Sequence, residues 1–215
     1  MANDDTLLTG FQIEVANLFF AVPASEGFLL AGGAALLAQH LTARPTHDLD
    51  FFTRPGGGNV GQARDELIAA VRTRGWSVEV VQDNDTFCRL LLHGPEDLLV
   101  DLALDSAPGR PAAVSIAGPT FALEELAGRK VVALFDRAAA RDFVDVYALH
   151  HTFTKDVMLE RAAEVDAGFN RTVFAEMLEH LARYTNIDLD LGAVDVAELR
   201  GFFQQWALEL RSESG

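Results

Sequence analysis

Apolar residues at Leu8, Phe11, Val15, Leu18 and Phe19 recur at the three-to-four spacing of one helical face, which predicts a first helix over 7–20. The period then changes. Phe28-Leu29-Leu30-Ala31 is a short apolar run closed by Gly32-Gly33, the mark of a strand end, and helical spacing returns over 34–41. After Arg44-Pro45, the segment Asp48-Leu49-Asp50-Phe51-Phe52 alternates acidic with apolar, as a strand with one wet face does. Gly56-Gly57-Gly58 reads as a loop, and 60–74 as a helix stopped by Gly75. Strands are expected at 77–81, 86–92 and 97–104, parted by the turn signals Asp83-Asn84-Asp85 and His93-Gly94-Pro95, with a short one at 113–116. From Thr120 onward the pattern is helical, over 120–135, 141–151, 155–166, 170–184 and 195–211. Strands early and helices late predict an α+β fold, with an α/β domain over 1–119 and a helical C-terminal domain over 120–215.

Composition narrows the functional classes. The 215 residues are 49% hydrophobic and 23% charged, which is the composition of a packed globular chain. No apolar run approaches the roughly 20 residues a bilayer span needs, and the acidic start lacks the basic flank of a secretory signal, so no membrane association and a cytoplasmic location are expected. The single cysteine, Cys88, forms no internal disulfide, suits a reducing cytosol, and is expected as a buried packing thiol in a strand. A net charge of -15 argues against a general nucleic-acid binder, which needs clustered lysine and arginine. Any polynucleotide would need a local basic patch, for which Arg44, Arg54, Arg64, Arg72, Arg74 and Arg89 are the candidates in the first domain.

The chemistry centres on Asp48-Leu49-Asp50. Residues i and i+2 of a strand share a face, so these carboxylates are expected side by side. Two such charges repel, and a divalent cation between them is the usual remedy. Asp101, set in the apolar run Leu98-Leu99-Val100-Asp101-Leu102, is the candidate third acid, because burying it without a metal or a partner is costly; Asp105 is the weaker alternative. Gly32-Gly33 stands at a strand end where backbone amides can approach a phosphate. His47 and His93 are isolated, and His150-His151 are adjacent on a helix and face different ways, so none is expected to bind metal. Lys130, Arg137 and Arg141 would share one face of an unbroken helix, which by itself describes an ordinary solvated surface. Asp145 reads equally as a charge favoured at a helix N-terminus.

Taken together, Leu30-Ala31-Gly32-Gly33-Ala34-Ala35-Leu36 and Arg44-Pro45-Thr46-His47-Asp48-Leu49-Asp50-Phe51-Phe52 resemble the AbiEii/AbiGii toxin-type nucleotidyltransferases. That group includes the mycobacterial MenT toxins and belongs to the polymerase-beta-like nucleotidyltransferase superfamily. Lys130-Val131-Val132-Ala133-Leu134-Phe135-Asp136-Arg137 and Arg141-Asp142-Phe143-Val144-Asp145-Val146-Tyr147-Ala148-Leu149 are similar to the family's lysine helix and its Arg-Asp-x-x-Asp-Leu-Tyr segment. The resemblance runs from about residue 28 to 180. Ala34 departs from it, since many relatives carry serine or threonine there, and the stretch 137–141 lacks an extra lysine.

The resemblance implies a nucleotidyltransferase-fold mixed sheet with flanking helices and a helical domain that completes the active site. It implies Mg²⁺ or Mn²⁺ on Asp48 and Asp50, with Asp101 as third acid. Gly32, Gly33 and Lys130 would contact the NTP, Thr46 a phosphate or the acceptor, and Arg141 a phosphate or an ion-pair partner. Asp142 would be a further essential acid, ranked above Asp145. The acceptor it favours is the 3′ end of tRNA, which would make the chain the toxin of a toxin–antitoxin pair with a cognate antitoxin. A small-molecule acceptor of the aminoglycoside kind, a protein hydroxyl, or a catalytically silent nucleotide-binding role are the alternatives.

Overall fold

A computed structural model describes residues 8–189 and 194–213. Leu7, the expected start of the first helix, lies outside them. Helix α1 (Gly10–Ala21) begins where Thr9 and Gln12 form a reciprocal cap, with the Thr9 hydroxyl accepting from the Gln12 amide at 3.1 Å and the Gln12 side chain accepting from Thr9 N–H at 2.8 Å. Strand β1 (Phe28–Ala31) runs directly into α2 (Gly32–Ala38), which starts at the first glycine rather than at Ala34. Strand β2 (Asp48–Thr53) and helix α3 (Val60–Thr73) follow.

The next three strands are β3 (Ser77–Asn84), β4 (Phe87–His93) and β5 (Asp97–Leu104). A register shift between Val80 and Gln82 carries β3 on through Asp83 and Asn84, residues expected in a turn, and the reversal falls on Asp85-Thr86 instead. Two short strands, β6 (Ala113–Ser115) and β7 (Gly118–Thr120), complete the sheet. Three residues leave too little periodicity to announce β7. Its register is pinned by the Thr120 hydroxyl donating to the Leu30 carbonyl at 2.9 Å.

The seven strands lie in the order β3-β4-β5-β2-β1-β7-β6. β2 is thus interior, antiparallel to β1 and parallel to β5, and the sheet is mixed. Along β2 burial alternates: Leu49, Phe51 and Thr53 are buried, while Asp48, Asp50 and Phe52 are half-buried. Phe51 stacks on Phe19 of α1 at 4.1 Å, and α1 packs on α3, so one face of the sheet is closed over an apolar core. The period-2 alternation therefore sends both acidic side chains to the other face.

The helical part comprises α4 (Leu123–Arg137), α5 (Ala140–Leu149), α6 (Lys155–Val165), α7 (Arg171–Glu179), the single turn α8 (Asn186–Leu189) and α9 (Val196–Glu213). The helix expected over 170–184 tightens to a 3₁₀ turn at His180–Arg183. Phe143, Phe174, Phe203 and Trp206 form its buried aromatic centre. Contacts divide the described residues into two compact units, one within 1–40 and 45–122, the other within 41–44 and 123–215.

Candidate functional site

In the first unit, three local arrangements put carboxylates in one place. Residue pairing sets Asp50 opposite Ala31 of β1 and Asp101 of β5, so Asp50 and Asp101 lie in one row across the sheet, with Arg89 of β4 next in the same row. Asp48 sits one pleat away on the same face. Asp105 lies beyond the end of β5, past the level at which Thr53 pairs with Leu104, and is removed from that row.

Gly32 stands against Asp50. Its φ is +64°, a left-handed value that glycine adopts without penalty, and a first side-chain carbon built there would overlap the Asp50 carboxylate. Gly32 and Gly33 open α2 without a side-chain cap from Ala31, which leaves helix-start amides beside the β1 end. The Thr46 hydroxyl donates to Asp48 Oδ1, and the Thr46 carbonyl accepts from Gln12 Nε2 at 2.9 Å. Thr46, expected on a phosphate or the acceptor, is thereby an orienting group for the first acid.

Asp101 is buried, as its apolar run required, and its partner is Arg89. The guanidinium donates through Nε at 2.8 Å and Nη2 at 2.6 Å, a bidentate fork on both carboxylate oxygens. The hydrogen bond to Asp101 holds Arg89 above its ordinary range against a smaller cost of burial, and the fields of Asp50 and Asp48 add to this. Among the described residues no group of three or more His, Cys, Asp or Glu is gathered closely enough to hold a metal ion. The pair Asp48 and Asp50, with Asp101 turned to Arg89, is what the fold provides.

In the second unit, Lys130 is buried on α4, which sets aside the solvated face its spacing suggested. It donates to Asp145 at 2.7 Å, and Arg44 grips the same carboxylate through Nε at 2.7 Å and Nη2 at 3.0 Å. Burial opposes the charge on Asp145, but the Lys130 charge and the Arg44 bonds outweigh it and hold its carboxyl below the usual range.

Asp142 has different partners. It accepts from Arg137 at 2.9 and 2.7 Å and from the Ala139 N–H at 3.1 Å, bridging the break between α4 and α5 where Ala138 takes a φ of +45°. The helix-start charge is thus Asp142, in the first turn of α5, and the reading that gave that part to Asp145 is corrected. Arg141 is exposed. The sequence pattern undervalued Asp145, Arg44 and Arg89, whose partners are 15, 101 and 12 residues away.

Most of the arginines that could supply a local basic patch are paired with acids. Arg44 is buried on Asp145, Arg64 pairs with Asp65 and Asp83, Arg74 with Glu14, and Arg89 with Asp101. An acid-rich chain neutralises its own arginines; Arg54, Arg72 and the Glu14-paired Arg74 are the exposed members of the set. His93 pairs with Asp97, and His150 bonds the Tyr147 carbonyl and packs at a tilt against Phe202. Among the described residues no helix is long and apolar enough to cross a membrane.

The model of the family described as "Nucleotidyl transferase AbiEii toxin, Type IV TA system" matches residues 16–211. A search of curated proteins finds none that matches. Among solved structures, a candidate nucleotidyltransferase from H. pylori aligns at a TM-score of 0.63 and 18% identity, covering 96% of this chain and 97% of that one. The nucleotidyltransferase toxin MenT4 from Mycobacterium tuberculosis aligns at 0.62 and 16% identity, covering 94% and 81%. The antibiotic-resistance factor ANT(2'')-Ia aligns at 0.50 and 16%, covering 82% and 100%. At these identities the structural likeness establishes the nucleotidyltransferase fold: a mixed sheet with flanking helices, followed by C-terminal helices.

Proposed function

Because the chain belongs to the AbiEii family of nucleotidyltransferase toxins, we propose that it moves a nucleoside monophosphate from an NTP to the 3′ end of tRNA, restrained by a cognate antitoxin. The observation that carries this reading is the Asp50 carboxylate lodged against the left-handed Gly32, with Asp48 oriented by Thr46 on the same strand face. Two carboxylates so placed fit Mg²⁺ or Mn²⁺, which bind through one or two carboxylates and leave remaining positions to water and substrate phosphates. Such an ion supplies charge neutralisation at the transferring phosphate.

The protein's own groups do the positioning. The Gly32 and Gly33 amides face the phosphates. Lys130, held with Arg44 on Asp145, is the residue that the family resemblance assigns to the triphosphate, as a point charge. Asp101 is the third acid, in line with Asp50, for the metal set and for the proton of the attacking hydroxyl. Arg141 is an exposed phosphate contact. Of the two acids on α5, Asp145 serves Lys130 and Asp142 holds the α4–α5 turn. A small-molecule acceptor is the second reading, favoured by the self-neutralised arginines.

The test is transfer of label from each α-³²P NTP to total tRNA with Mg²⁺, run beside Asp48→Ala. Label on tRNA with the wild type alone is expected. Equal labelling by Asp48→Ala would overturn the site, and pyrophosphate release without labelled RNA would move the acceptor to the second reading.

A further inference from the structure

The row Arg89–Asp101–Asp50 has a consequence for the resting protein. Neighbouring strands lie about 4.8 Å apart, so Asp101 stands between a cation on β4 and an acid on β2. Its carboxylate is committed to the cation: both oxygens are taken by the Arg89 fork, and its side chain is 10% exposed. Arg89 is 42% exposed, rests against the Phe87 ring at 5.6 Å, and therefore has solvent on one side and room to move. One end of this ion pair is fixed and the other is accessible.

Resting on the nucleotidyl-transfer reading above, we propose that Arg89 is a substrate-sensitive latch on Asp101. In the resting protein it withholds Asp101 from Asp48 and Asp50. A phosphate group of the incoming substrate takes the guanidinium instead, and Asp101 is then released to join the other two acids. Phosphate oxygens match the fork as well as a carboxylate does, so the exchange trades one bidentate pair for another. Arg89 is a positioning residue in this scheme: it governs when the third acid is available, and it couples that event to the presence of a phosphate-bearing substrate. Water alone, which cannot draw Arg89 away, would meet an incomplete set of acids.

The test is Mn²⁺ binding to the full-length protein without nucleotide, followed by the ion's electron paramagnetic resonance signal. Arg89→Gln should tighten Mn²⁺ roughly tenfold, the scale expected from freeing a carboxylate a few ångströms from the ion. Removing a nearby positive charge would also tighten the ion through space, so the change is repeated in an Asp101→Asn background. A gain clearly smaller there than in the wild-type background supports the latch. An equal gain in both backgrounds, or no gain, overturns it.

Asp48→Ala reports on the underlying reading separately: if it leaves Mn²⁺ binding unchanged, the metal site itself is wrong and the latch falls with it. Should Arg89→Gln fail to fold, Arg89→Lys, which keeps the charge but loses the fork, should give a smaller gain with the same dependence on Asp101. The source of the phosphate is read from transfer kinetics of Arg89→Gln. A raised KM for NTP assigns the triphosphate and a raised KM for RNA assigns the acceptor, whereas no change in either overturns the exchange.

Discussion

Gly32→Ala is a one-carbon change with two separable effects. The φ of +64° costs an L-residue about 1–2 kcal/mol, and the new carbon would occupy the space of the Asp50 carboxylate, which must leave its rotamer at a further cost of about 0.5–1.5 kcal/mol. The total, about 1.5–3.5 kcal/mol, predicts a fall in Tm of roughly 3–14 °C for a chain of this length. With a starting stability of about 5–15 kcal/mol, roughly nine molecules in ten or more remain folded at 25 °C. Unfolding therefore cannot explain a large loss of activity, whereas an acid displaced by about 1 Å can cost about a hundredfold in rate. The assay is initial-rate nucleotidyl transfer at 25 °C with thermal unfolding on the same preparation. A hundredfold or greater loss with a modest Tm shift is expected. Transfer within threefold of the wild type would refute the claim that this glycine makes room for a working carboxylate.

Other outcomes follow from single environments. Gly201→Ala, on α9 where an added carbon meets nothing within 4 Å, should stabilise by about 0.5–1 kcal/mol in urea unfolding. Burial pushes the Cys88 thiol up to about 11, with Asp83 adding to it, so the native thiol should react with iodoacetamide at pH 8 more than a hundredfold slower than in the urea-unfolded chain. Asp145 is held below its unfolded value of about 3.9, so the stability it adds is fully present above that pH and is lost as pH falls through the lower folded value. Asp145→Asn should accordingly flatten the acid limb of urea midpoints measured from pH 6 down to 2. If the acceptor is tRNA, even two phosphate contacts should raise its KM about tenfold between 50 and 200 mM salt, while a small-molecule acceptor should shift much less.

Much of the architecture was legible because side-chain periodicity is local. Alternation over 48–52 predicts both the strand and the face shared by Asp48 and Asp50, and the order of strands before helices gives the α+β class. What periodicity cannot carry is pairing. β3 continues through Asp83 and Asn84 because a bulge restores its partnership with β4, and β7 exists because Thr120 meets Leu30. Both depend on a neighbouring strand whose register no local pattern encodes. Glycine is the exception: Gly32-Gly33 announced a special backbone in the sequence, and the structure supplies the reason in the nearness of Asp50.

The same limit explains how the acids were ranked. In Arg141-Asp142-Phe143-Val144-Asp145 two carboxylates lie three positions apart, so a helix places them on one face and sequence offers no way to divide their labour. The division comes from what each meets. The break at Ala138 brings Arg137 and the Ala139 amide to Asp142, satisfying it within a few residues of its own chain. Asp145 meets Lys130 from the preceding helix and Arg44 from a distant loop, so two cations share one fully buried acid. Removing Asp142 should therefore loosen a turn, while removing Asp145 leaves two cations without their common anion, the costlier defect in a buried place. Arg89 on Asp101 follows the same logic: an apolar run around an acid signals that a partner must exist, and only the strand register says which residue it is.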